Sequence, residues 1–170
     1  MIMANKKIMN KNNFSITLMV DQTPEEVFTA INNVRGWWSG FYSEEITGNT
    51  EKQNDEFSFR AGGGAHYSKQ KLVEVIPGKK VVWLVTDSEL TFLEKKNEWT
   101  GTKIIFEISK KGSKTQVVFT HEGLVPEIEC YDSCSPAWSM YVREKLLPLI
   151  TTGEGQPGKK TNRTKAQVNQ

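Results

Sequence analysis

The sequence predicts an α+β domain: a curved antiparallel sheet of about six or seven strands wrapped around a long C-terminal helix, with two short helices after the first strand. Three observations carry this. Apolar and polar residues alternate over residues 14–20 and, segment after segment, from about residue 45 to 122, the period of half-buried strands. Apolar residues recur instead at spacings of three and four over 24–31 and 135–149, the period of a helix. Strands and helices are also segregated along the chain, which selects α+β over α/β, and a sheet with one apolar face needs a cover. The C-terminal helix is the only segment long enough to supply it.

Each element follows from its residues. Phe14, Ile16, Leu18 and Val20 form the apolar side of the first strand, which stops at Asp21. Thr23-Pro24-Glu25-Glu26 is a helix start: Thr23 caps, Pro24 suits the first helical position and Glu26 completes a capping box. That helix buries Val27, Phe28, Ala30 and Ile31. Asn32-Asn33 loosens it, and residues 34–38 form a short second helical turn or a tight loop. Phe57 and Phe59 then alternate with Glu56, Ser58 and Arg60. Gly62-Gly63-Gly64 breaks the chain, residues 65–76 form a long strand ending at Pro77-Gly78, and residues 81–86 form another, rich in β-branched residues. Residues 87–98 read two ways, with Leu90, Phe92 and Leu93 apolar but 94–98 a solvated charged run. Ile104, Phe106 and Ile108 alternate, 110–114 turns a hairpin, and Val117, Phe119 and His121 share a face of the last strand. Connections this short favour antiparallel pairing.

The long helix is predicted to begin near Pro136, with Ser135 as its cap, and to present Trp138, Tyr141, Val142, Lys145 and Leu149. Pro148 is expected to kink or fray its end. Residues 152–158, with three glycines and a proline, stop it. The expected organisation is a flexible leader at 1–11, one domain at 12–157 and a disordered basic tail at 158–170.

The 170 residues are one domain's worth. The formal charge of +2 is unevenly spread: residues 1–11 and 151–170 carry +3 each, leaving −4 on residues 12–150. A mildly acidic body argues against a nucleic-acid face on the domain. No apolar run approaches the roughly 18 residues of a membrane helix, and no secretory leader is evident, so a cytoplasmic location without membrane insertion is expected. The two cysteines, Cys130 and Cys134, are then expected as reduced, buried thiols. Two cysteines and two distant histidines make a poor zinc site, Gly62-Gly63-Gly64 lacks the residues of a phosphate loop, and no cofactor motif is present.

Several local motifs resemble a known family. Thr23-Pro24-Glu25-Glu26-Val27-Phe28 after the first strand, Arg35-Gly36-Trp37-Trp38, and Glu98-Trp99-Thr100-Gly101-Thr102 before an alternating strand are among them. So are His121-Glu122-Gly123-Leu124, Trp138-Ser139-Met140-Tyr141 and Thr152-Gly153-Glu154-Gly155. Together they resemble the START-like, helix-grip (SRPBCC) superfamily, in its branch of activator-of-heat-shock-protein-ATPase homologues, over roughly residues 12 to 157. The resemblance implies a helix-grip fold. It implies no catalytic motif, since the superfamily hosts many functions.

A helix lying over a concave sheet often leaves a cavity beneath it, and such apolar pockets bind ligands. The expected lining is Trp138 and Tyr141 from the helix, Trp38 before the sheet, and Trp83, Phe106 and His121 from the strands. Arg60 and Tyr67 would supply polar contacts. The same aromatics could instead fill the space; both readings stand open. The first expectation for function is therefore binding of an apolar or amphipathic small molecule. The alternatives are a co-chaperone-like interaction module and a pocket enzyme, a cyclase or hydrolase using His121. A homodimer is compatible with the sequence.

Overall fold

The computed structural model describes residues 12–153; the expected leader and basic tail lie outside them. Seven strands form one antiparallel sheet: β1 (Phe14–Val20), β2 (Glu45–Gly48), β3 (Glu56–Ala61), β4 (His66–Ile76), β5 (Lys80–Leu90), β6 (Lys103–Lys111) and β7 (Lys114–Glu122). Their spatial order is β1-β7-β6-β5-β4-β3-β2. All neighbours except β1 and β7 are consecutive in sequence. The chain therefore leaves β1 at one edge, passes through two helices and re-enters at the opposite edge.

That crossing is made by α1 (Pro24–Asn32) and α2 (Val34–Trp37). The capping box is formed as expected: Glu26 N–H donates to Thr23 Oγ1 at 3.1 Å, and Thr23 N–H donates to Glu26 Oε1 at 2.9 Å. Arg35 then ties the crossing to the far edge, donating to the carbonyls of Ile46 at 3.0 Å and Gly48 at 2.9 Å. Alternation sets the two faces of the sheet. Phe57, Phe59 and Ala61 are buried while Arg60 is exposed, and Val117, Phe119 and His121 are buried together.

The covering helix runs 22 residues as α3 (Tyr131–Tyr141), a π segment (Val142–Leu146) and α4 (Leu147–Thr152), closed by Gly153 at φ 80°. Two expectations about it are corrected. It begins at Tyr131, not near Pro136. Ser135 is no cap but lies inside the helix, its hydroxyl donating to the Tyr131 carbonyl at 2.6 Å. The start is fixed from outside the helix: the Glu98 carboxylate accepts the N–H groups of Glu129 and Cys130, both at 2.9 Å, satisfying donors that a helix N-terminus leaves orphaned. Pro148, expected to kink or fray the end, stands inside the last helical segment, which continues to Thr152. A proline ring crowds the carbonyl four residues before it, and the wider π turn directly upstream opens the coil to accept it.

The earlier start changes the cysteines. Cys130 and Cys134 lie one helical turn apart on the same side, with Cα atoms 5.5 Å apart and their sulfur atoms adjacent. Both are buried, as expected. Among the described residues no helix is long and apolar enough to cross a membrane.

Candidate functional site

The centre of the gripped space is filled. Trp83 rises from β5, Trp38 follows α2, Trp138 descends from α3, and Trp99 comes from the β5–β6 connection. Their indoles run roughly parallel: Trp38 lies 5.6 Å from Trp83 and 5.0 Å from Trp138, and Trp138 lies 5.9 Å from Trp99, with interplanar angles of 26°, 25° and 12°. Phe59 stacks on Trp38 at 3.7 Å, and Phe106 meets Trp83 edge-on at 5.1 Å. Each such pair adds about 0.5–1.5 kcal/mol beyond the area it buries. Trp37 belongs to the same mass, its indole N–H paired with the Ile31 carbonyl at 3.0 Å.

Space remains at one end. A cavity of about 250 Å³ opens between the Gly62–Gly64 turn, the β5–β6 connection and the first turns of α3. Trp38, Phe59, Trp99, Trp138 and Tyr141 form its apolar walls, and His66 and Cys134 contribute to them. Tyr42 and Phe92 also border it, and at 50% and 51% exposure they are the most exposed large apolar side chains among the described residues. The helix-side wall is held by Tyr141, whose hydroxyl donates to Glu44 Oε2 at 2.5 Å. The same carboxylate accepts the N–H groups of Gly40, Phe41 and Tyr42. Burial, then the neighbouring carboxylate, pushes the Tyr141 hydroxyl far above its usual range, so it stays protonated and bound to Glu44.

The two histidines have different surroundings. His121 is 0% exposed. Its Nδ1 accepts the Trp138 indole N–H at 3.0 Å, and its Nε2 lies 2.9 Å from Thr102 Oγ1. The Thr102 hydroxyl spends its own proton on the Trp99 carbonyl at 2.6 Å. It must therefore accept from His121, which fixes the neutral tautomer with the proton on Nε2. Burial, with His66 adding to it, lowers the His121 pKa to about 3. Both ring nitrogens are engaged, so His121 offers the cavity neither base nor acid. His66 is in the cavity wall, packed between the rings of Phe59 and Trp99 at 5.2 and 4.6 Å. Burial lowers its pKa to about 4, and its Nε2 is buried with no hydrogen-bond partner.

Of the expected lining residues, the structure brings Trp38, Trp138 and Tyr141 to the cavity. Trp83, Phe106 and His121 lie in the filled region and do not line it. Arg60 and Tyr67 sit on the opposite face of the sheet, directly paired in register, with the guanidinium over the tyrosine ring at 4.6 Å. The expectation of polar ligand contacts from Arg60 and Tyr67 is therefore corrected, because strand alternation turns both away from the helix. His66 and Trp99 were missed as lining. Part of the signal was present: His66 shares its parity on β4 with the buried Ser68, Gln70 and Leu72. The charged run at 94–98 is only partly a solvated loop, since Glu98 caps the long helix and the Glu129 carboxylate accepts the Glu94 N–H in return. Among the described residues no group of three or more metal-ligating side chains converges.

No protein-family profile matches the chain, and no curated protein matches it in sequence. Solved structures do match. The Aha1 dimer from Colwellia psychrerythraea, solved in solution, has a TM-score of 0.65 at 22% identity, covering 84% of this chain and 98% of that one. PFC0360w, an HSP90 activator from Plasmodium falciparum, has a TM-score of 0.53 at 17% identity over 84% and 96%. CalU16 from Micromonospora echinospora has a TM-score of 0.52 at 13% identity over 80% and 73%. These neighbours share this chain's fold, and the first two carry names of the branch that the sequence motifs resemble. The chain has the helix-grip fold.

Proposed function

We propose that the protein binds a small apolar or amphipathic molecule in the cavity at the Gly62–Gly64 end of the helix. One observation carries this reading: the aromatic packing that fills the rest of the space stops short there and leaves about 250 Å³ walled by rings. An engineered apolar cavity of about 150 Å³ accepts benzene, so the space suits one ring or two fused rings. Two of the four exposed large apolar side chains among the described residues, Tyr42 and Phe92, border this cavity, so the described apolar surface gathers there rather than on a separate docking face. That favours the ligand reading over a co-chaperone-like module. The pocket-enzyme reading asks for His121, or another titratable group, to face the cavity beside a polar partner, and His121 is engaged elsewhere.

Native mass spectrometry of the purified protein, together with titration by naphthalene monitored through tryptophan fluorescence, tests the proposal. A retained molecule or saturable quenching is expected, and Ala137→Trp, which fills the cavity, should weaken binding by at least about tenfold. No retained molecule and no saturable response, or binding indifferent to Ala137→Trp, sinks it. A homodimer and a cytoplasmic location are carried as proposals beside this one. Light scattering on the purified chain tests the dimer, and a mass near 19.3 kDa would refute it.

A further inference from the structure

The chain's two cysteines lie where the long helix meets the cavity. Cys134 shares a helix face with Trp138 and Tyr141, and all three line the cavity. A helix presents side chains rather than backbone to the space it covers, so Cys134 meets the cavity through its thiol-bearing side chain. Cys130 lies one turn earlier on the same face. It is 0% exposed and does not line the cavity, whereas Cys134 is 5% exposed. The two Cα atoms are 5.5 Å apart and the sulfur atoms are adjacent, a Cα separation from which a disulfide forms without backbone movement. No lysine, arginine, aspartate or glutamate lines the walls, so a charged reagent entering them would lose its hydration with no counter-charge in return. A small uncharged one meets no such cost, and the space of about 250 Å³ exceeds the roughly 30 Å³ that a water occupies several times over.

We propose that Cys130 and Cys134 form a peroxide-sensitive modification site, in which a small uncharged hydroperoxide reaches Cys134 through the cavity and Cys130 completes a disulfide. The Cys134 sulfur, as thiolate, attacks one peroxide oxygen. The O–O bond breaks, and the departing hydroxide takes up the thiol proton as water, leaving a sulfenic acid on Cys134. The Cys130 sulfur then attacks that sulfur. The S–S bond forms as the S–O bond breaks, and the second water leaves with the Cys130 proton. In sum, two thiols and one hydrogen peroxide give one disulfide and two waters; sulfur is oxidised and the peroxide oxygens are reduced. The order of the two cysteines follows from burial, since only Cys134 borders open space. A dithiol reductant reverses the change by exchange. The inference uses the cavity as a route and does not depend on an organic ligand binding there.

The test uses the full chain, reduced and freed of reductant, with hydrogen peroxide and oxidised glutathione as probes and with thiol counting and intact mass as readouts. With hydrogen peroxide the folded chain should lose both thiols and the mass of two hydrogens, and dithiothreitol should restore them. Cys130→Ser should leave a sulfenic acid on Cys134, trapped by dimedone. Cys134→Ser should leave Cys130 an unreacted thiol. Oxidised glutathione, charged and too large for the cavity, should act on the folded chain at least about tenfold more slowly than on the urea-unfolded chain. Ala137→Trp, which fills the cavity, should slow peroxide oxidation of the folded chain at least about tenfold and leave the rate in urea unchanged. The inference is overturned if the folded chain keeps both thiols under peroxide that oxidises the unfolded chain, or if Cys130 reacts as readily in Cys134→Ser as Cys134 does in Cys130→Ser. Equal glutathione rates on folded and unfolded chain, or a peroxide rate indifferent to Ala137→Trp, overturn it too. The two serine variants exchange only sulfur for oxygen, and they decide the matter if Ala137→Trp does not fold.

Discussion

His121 and His66 pack edge-to-face against the same indole, at 4.7 and 4.6 Å from Trp99, yet they belong to differently built regions. Around His121 every polar atom has a place. Trp138 donates to one nitrogen, Thr102 accepts from the other, and Thr102 is itself anchored on the Trp99 carbonyl. Gly123 makes room for this chain of bonds: its φ is +105°, and a Cβ there would meet the Thr102 methyl at 2.6 Å. Around His66 the rings are just as close, but the nitrogen facing into the protein has no partner and a cavity lies alongside. The difference separates a histidine whose ring nitrogens are both paired from one with a nitrogen left over. His121 is fully buried and His66 half-buried, yet both are held neutral, so pKa does not distinguish them. The completeness of the hydrogen-bond shell does.

The predictions break this contrast from its strongest side first. Trp138→Ala removes the ring that joins the two regions and leaves His121 without its donor. It should destabilise the fold by about 3–5 kcal/mol, read by chemical denaturation; a loss under about 1 kcal/mol would mean the helix does not rely on this packing.

Acid comes next. Unfolded, His121 takes up a proton near pH 6.5, whereas folded it resists until about pH 3. The unfolded chain therefore binds more protons in that window, and stability that is fully present above pH 6.5 falls as the pH drops. The slope is about 1.4 kcal/mol per pH unit, roughly 3–4 kcal/mol between pH 6.5 and 4. His66, lowered to about 4, acts in the same direction. Denaturation across that range checks the slope, and His121→Leu should flatten it.

At neutral pH, His121→Leu leaves the Trp138 indole N–H and the Thr102 hydroxyl short of a partner and should cost about 1–3 kcal/mol. Gly123→Ala, through its positive φ and the Thr102 contact, should cost a similar amount, about 1–3 kcal/mol. His66→Leu removes a side chain whose inward nitrogen has no bond to lose, so its cost should stay within about 1 kcal/mol. If His66→Leu proved as damaging as His121→Leu, the two regions would not differ as described.

Much of the fold could be read in the chain, because strand and helix periods are local. Residues 14–20 alternate as a strand and form one; Thr23 to Glu26 read as a capping box and make both of its bonds. The start of the long helix could not be read this way. Ser135-Pro136 is a valid local start, but Glu98, more than thirty residues upstream in sequence, accepts the N–H groups of Glu129 and Cys130 on its carboxylate and moves the start forward. At the candidate site, Arg60 and Tyr67 were misplaced although the parity of Phe57, Phe59 and Ala61 already turned Arg60 outward. Trp38, Trp138 and Tyr141 were legible because they fall on the apolar sides of their segments. His66 and Trp99 were not, since nothing local says which ring borders space and which borders another ring.

The sequence by itself determined the element order, the antiparallel pairing and the gripping arrangement, because hydrophobic period and connection length are properties of neighbouring residues. Only the tertiary structure decided that most of the gripped space is filled, that a cavity survives beside the Gly62–Gly64 turn, and that His121 is paired while His66 is not. Those outcomes depend on where side chains far apart in sequence meet, and on whether their volumes and hydrogen-bonding atoms match when they do.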